Sequence, residues 1–303
     1  MILEDEEKGK PKLNPSGHPL VRAKRFSQKP VTLFLEGPIH ALKVHPELRE
    51  QIYEGVRESQ VYDQKLEMYK SCAPLEDEPL ELGRIRAYAP GWIENESVYL
   101  HMEYKWLLEL LRSGLYEEFY RDIKNVLVPF LDPEIYGRSI LEGNSFIVSS
   151  AFPDESFHGR GFQPRLSGVT AEMLHIWTIM VAGENPFQLD EGGALMLKLR
   201  PILPGWLFTQ EKVTREYYDK NGTMRKVEVP ENAFAFKFLG KTLVVYHNED
   251  RKDTFGEDGA KITSYQLEYY GGSKKTIEGD TLEASVAKDV REGKVKRIDV
   301  TLV

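Results

Sequence analysis

Val169-Thr-Ala-Glu-Met-Leu-His-Ile-Trp-Thr-Ile-Met-Val-Ala-Gly183 is followed at a short interval by Leu195-Met-Leu-Lys-Leu-Arg200, and between the two stretches the hydrophobic period changes. In the first, Met173, Leu174, Ile176 and Trp177 fall at helical spacing and Gly183 stops the run. In the second, the pattern shortens to that of a strand. Upstream the helical period holds. His45-Pro46-Glu47 puts a proline in a first turn before Leu48, Ile52 and Val56, with Val61 and Leu66 beyond. A second helix is predicted over Ser97 to Ser113, with Val98, Met102, Trp106 and Leu110 on one stripe, Leu107 and Leu111 broadening it, and Gly114 as its stop. A third covers Tyr116 to Leu127 and ends at Pro129.

Downstream the strand pattern repeats in Arg215–Tyr218, Arg225–Val229, Phe234–Leu239, Leu243–Tyr246, Ser264–Tyr269 and Val295–Val303. Lys220-Asn-Gly-Thr223 reads as a two-residue hairpin connection, because Asn-Gly suits left-handed dihedrals. Helices first and strands second predict an α+β multidomain chain: a helical domain over 31–190, then a small antiparallel β-sandwich over 191–303. Residues 1–30 hold four acids, seven bases and four prolines without apolar periodicity, and are expected to be a loosely ordered arm.

Composition narrows the function classes. The 303 residues suffice for about two domains, and 41% hydrophobic content rules out disorder as the main state. A net charge of −8 gives no support for nucleic acid or anionic lipid as a partner. Cys72 is the single cysteine, and no HxH, HExxH or CxxC spacing suggests a metal. No apolar run reaches the roughly 20 residues of a membrane span, and the start is acidic, so a cytoplasmic chain with no membrane partner is expected.

Two connections carry the chemistry. Glu81-Leu-Gly-Arg-Ile-Arg-Ala-Tyr-Ala-Pro-Gly-Trp-Ile-Glu-Asn-Glu96 could hydrogen-bond a polyol through Glu94, Asn95 and Glu96 while Trp92 or Tyr88 stacks on it. Acids capping a helix start explain the same loop without any ligand. Gly159-Arg-Gly-Phe-Gln-Pro-Arg-Leu-Ser-Gly-Val-Thr170 opens a helix whose first residues, Ser167 and Gly168, offer a hydroxyl and amides where the dipole is positive, with Arg160 and Arg165 nearby. An oxyanion could sit there, or Ser167 could simply cap the helix. His101, one turn into the second helix, is either a core histidine or a partner of that anion.

Together the segments Leu82 to His101 and Gly159 to Ala171 resemble the cellobiose phosphorylase family, inverting glycoside phosphorylases built as an (α/α)6 barrel followed by a small β-sandwich. Leu197-Lys-Leu-Arg-Pro-Ile-Leu-Pro-Gly-Trp206 is similar to the family's entry into that sandwich. The resemblance covers roughly residues 30 to 210. It implies phosphate at His101, Ser167 and Gly168, and the acceptor sugar near Glu94. It also implies inorganic phosphate as a substrate, no cofactor, and a disaccharide or oligosaccharide as the second substrate.

Two departures stand out. The family has two glycines where this chain has Glu96 and Ser97, which adds a charge beside the sugar. The family's general acid, an aspartate upstream of the phosphate histidine, finds no matching motif in the residues before His101. Four or five helices are expected where a closed double ring needs twelve, so the chain resembles the C-terminal half of such an enzyme, a partial (α/α)6-type barrel. An N-terminal-half polypeptide would then be its partner, and exposed helix faces could favour a homo-oligomer. Two alternatives follow: an inverting glycoside hydrolase, with Glu96 or Glu172 as the second carboxylate, and a non-catalytic carbohydrate-binding or structural subunit.

Overall fold

The computed structural model describes residues 9–26, 28–164 and 167–303, the side chain of Ser167 excepted. Contact density divides the chain into 1–32 and 33–303. Within the first unit, Leu13 bridges Pro19 around a turn in which Asn14 Oδ1 accepts the amides of Ser16 and His18, each at 2.9 Å.

The second unit begins with α1 (Glu36–Val44), α2 (Arg49–Glu58) and a two-stranded ribbon, β1 (Tyr62–Asp63) and β2 (Met68–Tyr69). A three-stranded antiparallel sheet follows, formed by β3 (Val98–Tyr99), β4 (Asn144–Ile147) and β5 (Gly161–Pro164) in that order. Between β3 and β4 run α3 (Leu100–Ser113), α4 (Tyr116–Val126) and the single turn α5 (Pro133–Tyr136). Next come α6 (Ser167–Ala182), the pair β6 (Phe187–Leu189) and β7 (Leu195–Leu197), and the hairpin β8 (Val213–Tyr218) and β9 (Met224–Val229).

The remaining elements are β10 (Ala233–Phe238), β11 (Thr242–Asn248), β12 (Ile262–Tyr269), β13 (Lys274–Glu278), α7 (Ala284–Glu292) and β14 (Val295–Leu302). Their five strands form one sheet in the order β10-β11-β14-β12-β13.

The architecture is mixed α+β, and no closed barrel of helices forms among the described residues. α3 is the central helix. It packs on α1, α4 and α6, and Trp106, Leu107, Leu110 and Leu111 are among its buried residues. One hydrophobic core runs from Leu35 and Ile39 of the helical part to Val300 and Leu302 of the sheet. Hydroxyls tie the layers: Tyr246 donates to the Val181 carbonyl at 2.6 Å, and Tyr120 to that of Ile202. Each phenol buries its ring and still satisfies its oxygen.

Several expectations need correction. The second helix starts at Leu100, not Ser97, because Val98 and Tyr99 pair instead with Ile147 and Phe146. The first begins with a 3-10 turn at Pro46–Leu48, and Leu48 is exposed. Leu174 points outward at 60% exposure, whereas Ile176 is fully buried.

The hairpin is closed by Asp219, not by a two-residue connection. Its amide donates to the Thr223 carbonyl at 2.9 Å, its Oδ1 takes the amides of Asn221 and Thr223, and only Gly222 is left-handed, at φ 74°. The segregation of helices from strands is incomplete, since β1–β5 lie among the helices and α7 among the strands. The large sheet also contains a parallel pair, β11 with β14, where only antiparallel pairing was expected.

Candidate functional site

The three-stranded sheet brings the two chemically suggestive connections together. β3 runs directly into α3, so Tyr99 lies on the sheet and His101 in the first turn of the helix. β5 leads toward α6, whose first residues are Ser167 and Gly168. Strands β3 and β5 both pair with β4, and α3 packs against α6, so the two helix openings lie beside each other.

The contact between them is close. A Cβ placed on Gly168 would lie 2.6 Å from His101 Nδ1 and 2.7 Å from Cγ. Real Cβ contacts are not this short, so only glycine admits the ring here. The other ring nitrogen, Nε2, lies 3.5 Å from Glu172 Oε1, one turn further along α6. An imidazole, the amide-bearing start of a sixteen-residue helix and a carboxylate therefore share one place. An oxyanion over the helix start would meet the dipole and the imidazole favourably and the Glu172 carboxylate unfavourably.

An aromatic row leads to this point across one face of the sheet. Trp92 stacks parallel on Phe162 with centroids 4.0 Å apart, Phe162 on Phe146 at 5.5 Å, and Phe146 on Tyr99 at 4.8 Å. Tyr99 then meets the His101 ring edge-on at 6.1 Å. The register makes the row, since Tyr99 opposes Phe146 and Phe146 opposes Phe162. Trp92, Phe162, Tyr99 and His101 are partly exposed.

The remaining expected residues fall as follows. Glu94 is held by a two-pronged bridge from Arg84, at 2.7 and 3.2 Å. Asn95 is buried. Its Nδ2 donates to the Tyr88 carbonyl at 2.7 Å, while its Oδ1 has no partner among the described residues. Tyr88 is half-buried and its carbonyl anchors that amide. Arg160 donates to the Ser156 carbonyl at 3.1 Å and lies over the Phe157 ring, contacts within its own loop. Arg165 and the Ser167 hydroxyl lie outside the described residues.

Glu96 departs from its expected place beside the sugar. It is buried, at φ 54°, and its carboxylate takes the Lys70 ammonium at 2.8 Å. Neutralised in this way, it adds no free charge and is a poor second carboxylate for hydrolysis. The acids in this loop do not cap α3 either, since β3 intervenes before Leu100.

Below the site lies a second acidic group. Glu103 on α3 is fully buried, its Oε1 accepts the Tyr69 amide at 2.8 Å, and its Oε2 has no partner among the described residues. Burial pushes its carboxyl well above the ordinary range, and the nearby Asp122 and Asp63 add to the shift. Asp122 is also raised by burial, against the opposing pull of the Tyr69 hydroxyl and Arg57. Tyr69 donates to it at 2.5 Å. Sequence pattern gave no hint of these acids, because they occupy apolar faces of otherwise ordinary amphipathic helices.

Among the described residues, no group of three or more His, Cys, Asp or Glu side chains could hold a metal. No helix there is long and apolar enough to cross a membrane. No protein-family model matches the chain, and no curated protein matches it.

Proposed function

We propose that this chain is a carbohydrate-active protein of the glycoside phosphorylase type. On this reading it binds inorganic phosphate at His101 and the start of α6, and the sugar along the row from Trp92 to Tyr99. The observation that carries the reading is the seating of the His101 ring on Gly168, which puts an imidazole and a helix start within reach of one anion. Half-exposed rings suit the C–H faces of a pyranose.

Phosphate is already a nucleophile, so the site needs donors and cations rather than a base. Attack at the anomeric carbon also needs an acid to protonate the leaving oxygen. Glu94 is engaged with Arg84 and Glu96 with Lys70, so the acid is assigned to a separate polypeptide segment acting with this chain. Residues 31–190 then correspond to part of an (α/α)6 barrel and 191–303 to the terminal β domain. The products are a sugar 1-phosphate and a free sugar, and no cofactor takes part.

One observation favours a second reading. Glu172, 3.5 Å from His101, is a carboxylate that could activate water in an inverting hydrolase. Titration of the full chain with inorganic phosphate tests the main proposal. Saturable binding is expected, with at least ~10-fold loss in His101→Ala and in Gly168→Ala, whose methyl displaces the ring. Equal affinity in all three proteins would refute it. Sugar release that proceeds without phosphate and stops in Glu172→Gln would establish the hydrolase instead.

A further inference from the structure

A cavity of about 680 Å³ opens between the last turns of α3 and α6, the 198–202 segment and the loop that precedes β12. His101 is not among its lining residues, so it is a place separate from the site above. Its volume lies in the range of roughly 300–1,000 Å³ usual for small-molecule sites. One wall is aromatic. Phe255 packs near-parallel to Tyr120 with centroids 5.6 Å apart, and meets Tyr116 at 5.5 Å.

The charge of the lining is unusual for a chain of net charge −8, because four cations face two acids. Arg112 is held by Glu184 at 3.2 Å, and Lys198 by Asp280 at 2.5 Å. Arg200 and Lys261 have no side-chain hydrogen bond or ion pair with any described residue, yet both backbones are fixed. The Arg200 amide donates to the Ala182 carbonyl at 3.0 Å, and Lys261 exchanges both backbone bonds with Val303, at 2.8 and 3.0 Å. Gly183, at φ 88°, allows the close approach, since a Cβ there would lie 3.0 Å from that of Arg200. Two anchored, unpaired cations therefore border a cavity with an aromatic wall.

We propose that this cavity binds an organic phosphate, with the phosphate between Arg200 and Lys261 and a ring body against Phe255. A phosphomonoester carries close to two negative charges at neutral pH, matching the two free cations, and its oxygens suit a guanidinium fork and a mobile ammonium. A monocarboxylate would neutralise only one of them.

Calorimetric titration of the full chain with AMP and with glucose 6-phosphate tests this, with adenosine and glucose as uncharged controls. At least one phosphate is expected to bind saturably while its uncharged counterpart does not, the preferred probe identifying the ring the wall accepts. Arg200→Ala and Lys261→Gln should each weaken binding by about 10-fold or more, since a charge-assisted contact is lost. The losses in Arg200→Ala and Lys261→Gln should persist in a His101→Ala background, which separates this site from the proposed phosphorolytic one. Should Arg200→Ala fail to fold, Arg200→Lys is expected to retain weakened binding. The proposal is overturned if neither phosphate binds by about 10 mM, where the binding free energy would be below ~3 kcal/mol. It is equally overturned if the Arg200 and Lys261 variants bind as tightly as the parent.

Discussion

Glu172→Gln should tighten phosphate binding, an outcome that no general-base role for Glu172 would produce. Gly168 and Glu172 are four residues apart on α6, so a phosphate at the helix start would lie roughly 5 Å from the carboxylate. At that distance the repulsion per unit charge is about 0.8 kcal/mol in a water-like medium and about 3.3 kcal/mol at an effective dielectric near 20. With side chains 31% exposed at His101 and 17% at Glu172, the site lies between these limits. A gain of about 1–2 kcal/mol, or roughly 5- to 30-fold, follows. His101→Ala should act in the opposite sense, losing about 1.5–3 kcal/mol, or roughly 10- to 150-fold.

The double variant completes the cycle. Removing the imidazole also leaves Glu172 unpaired beside the anion, so the loss from His101→Ala should shrink by at least ~0.5 kcal/mol in the Glu172→Gln background. Calorimetry in one buffer at a single pH compares the parent, both single variants and the double variant. Raising the salt should compress the differences, because these side chains are partly solvated. An affinity that is unchanged or weaker in Glu172→Gln would show that no anion approaches this carboxylate, and the geometric reasoning would fail.

Two further outcomes concern stability. Glu103 has a folded-state carboxyl held above its unfolded value of 4.5, so its favourable contribution is complete below that value and is lost as pH rises through the folded value. Glu103→Gln, isosteric and neutral, should remove this loss and gain about 1–3 kcal/mol at pH 8 relative to the parent while changing little near pH 4. Urea midpoints at the two pH values decide it, and an equal shift at both would contradict a buried neutral acid.

Lys70→Met should cost about 3–5 kcal/mol by stranding the buried Glu96 carboxylate. Adding Glu96→Gly should recover most of this, since glycine also suits the φ of 54°. If the double variant unfolds at the same denaturant concentration as Lys70→Met alone, the two side chains are not energetically coupled.

Many of the longer elements were legible, although α1 and β13 were not anticipated. α3, α4 and α6 were placed by their apolar spacing and by Gly114, Pro129 and Gly183, and β8 to β12 and β14 by strand-like runs between turn residues. β3, β4 and β5, of two to four residues, gave no such signal, because so few positions cannot distinguish alternation from chance. α7 was hidden for a similar reason. Val286, Ala287 and Val290 form a narrow apolar face in a nine-residue segment that lies between strands.

The candidate residues were nameable from local chemistry, but their partners were not. The lysine that neutralises Glu96 lies 26 positions away in the chain. The Trp92-to-His101 row depends on cross-strand register, which no single segment encodes.

By itself, the sequence determined where the chain changes from helical to extended patterning, which loops carry acids, arginines and aromatic rings, and that one glycine stands at the start of a long helix. Only the tertiary structure decided that this glycine lies under His101, that Glu172 shares the same place, and that β14 inserts beside β11. Those facts depend on the packing of segments remote in sequence, where contact follows from the burial of one continuous core and not from the character of neighbouring residues.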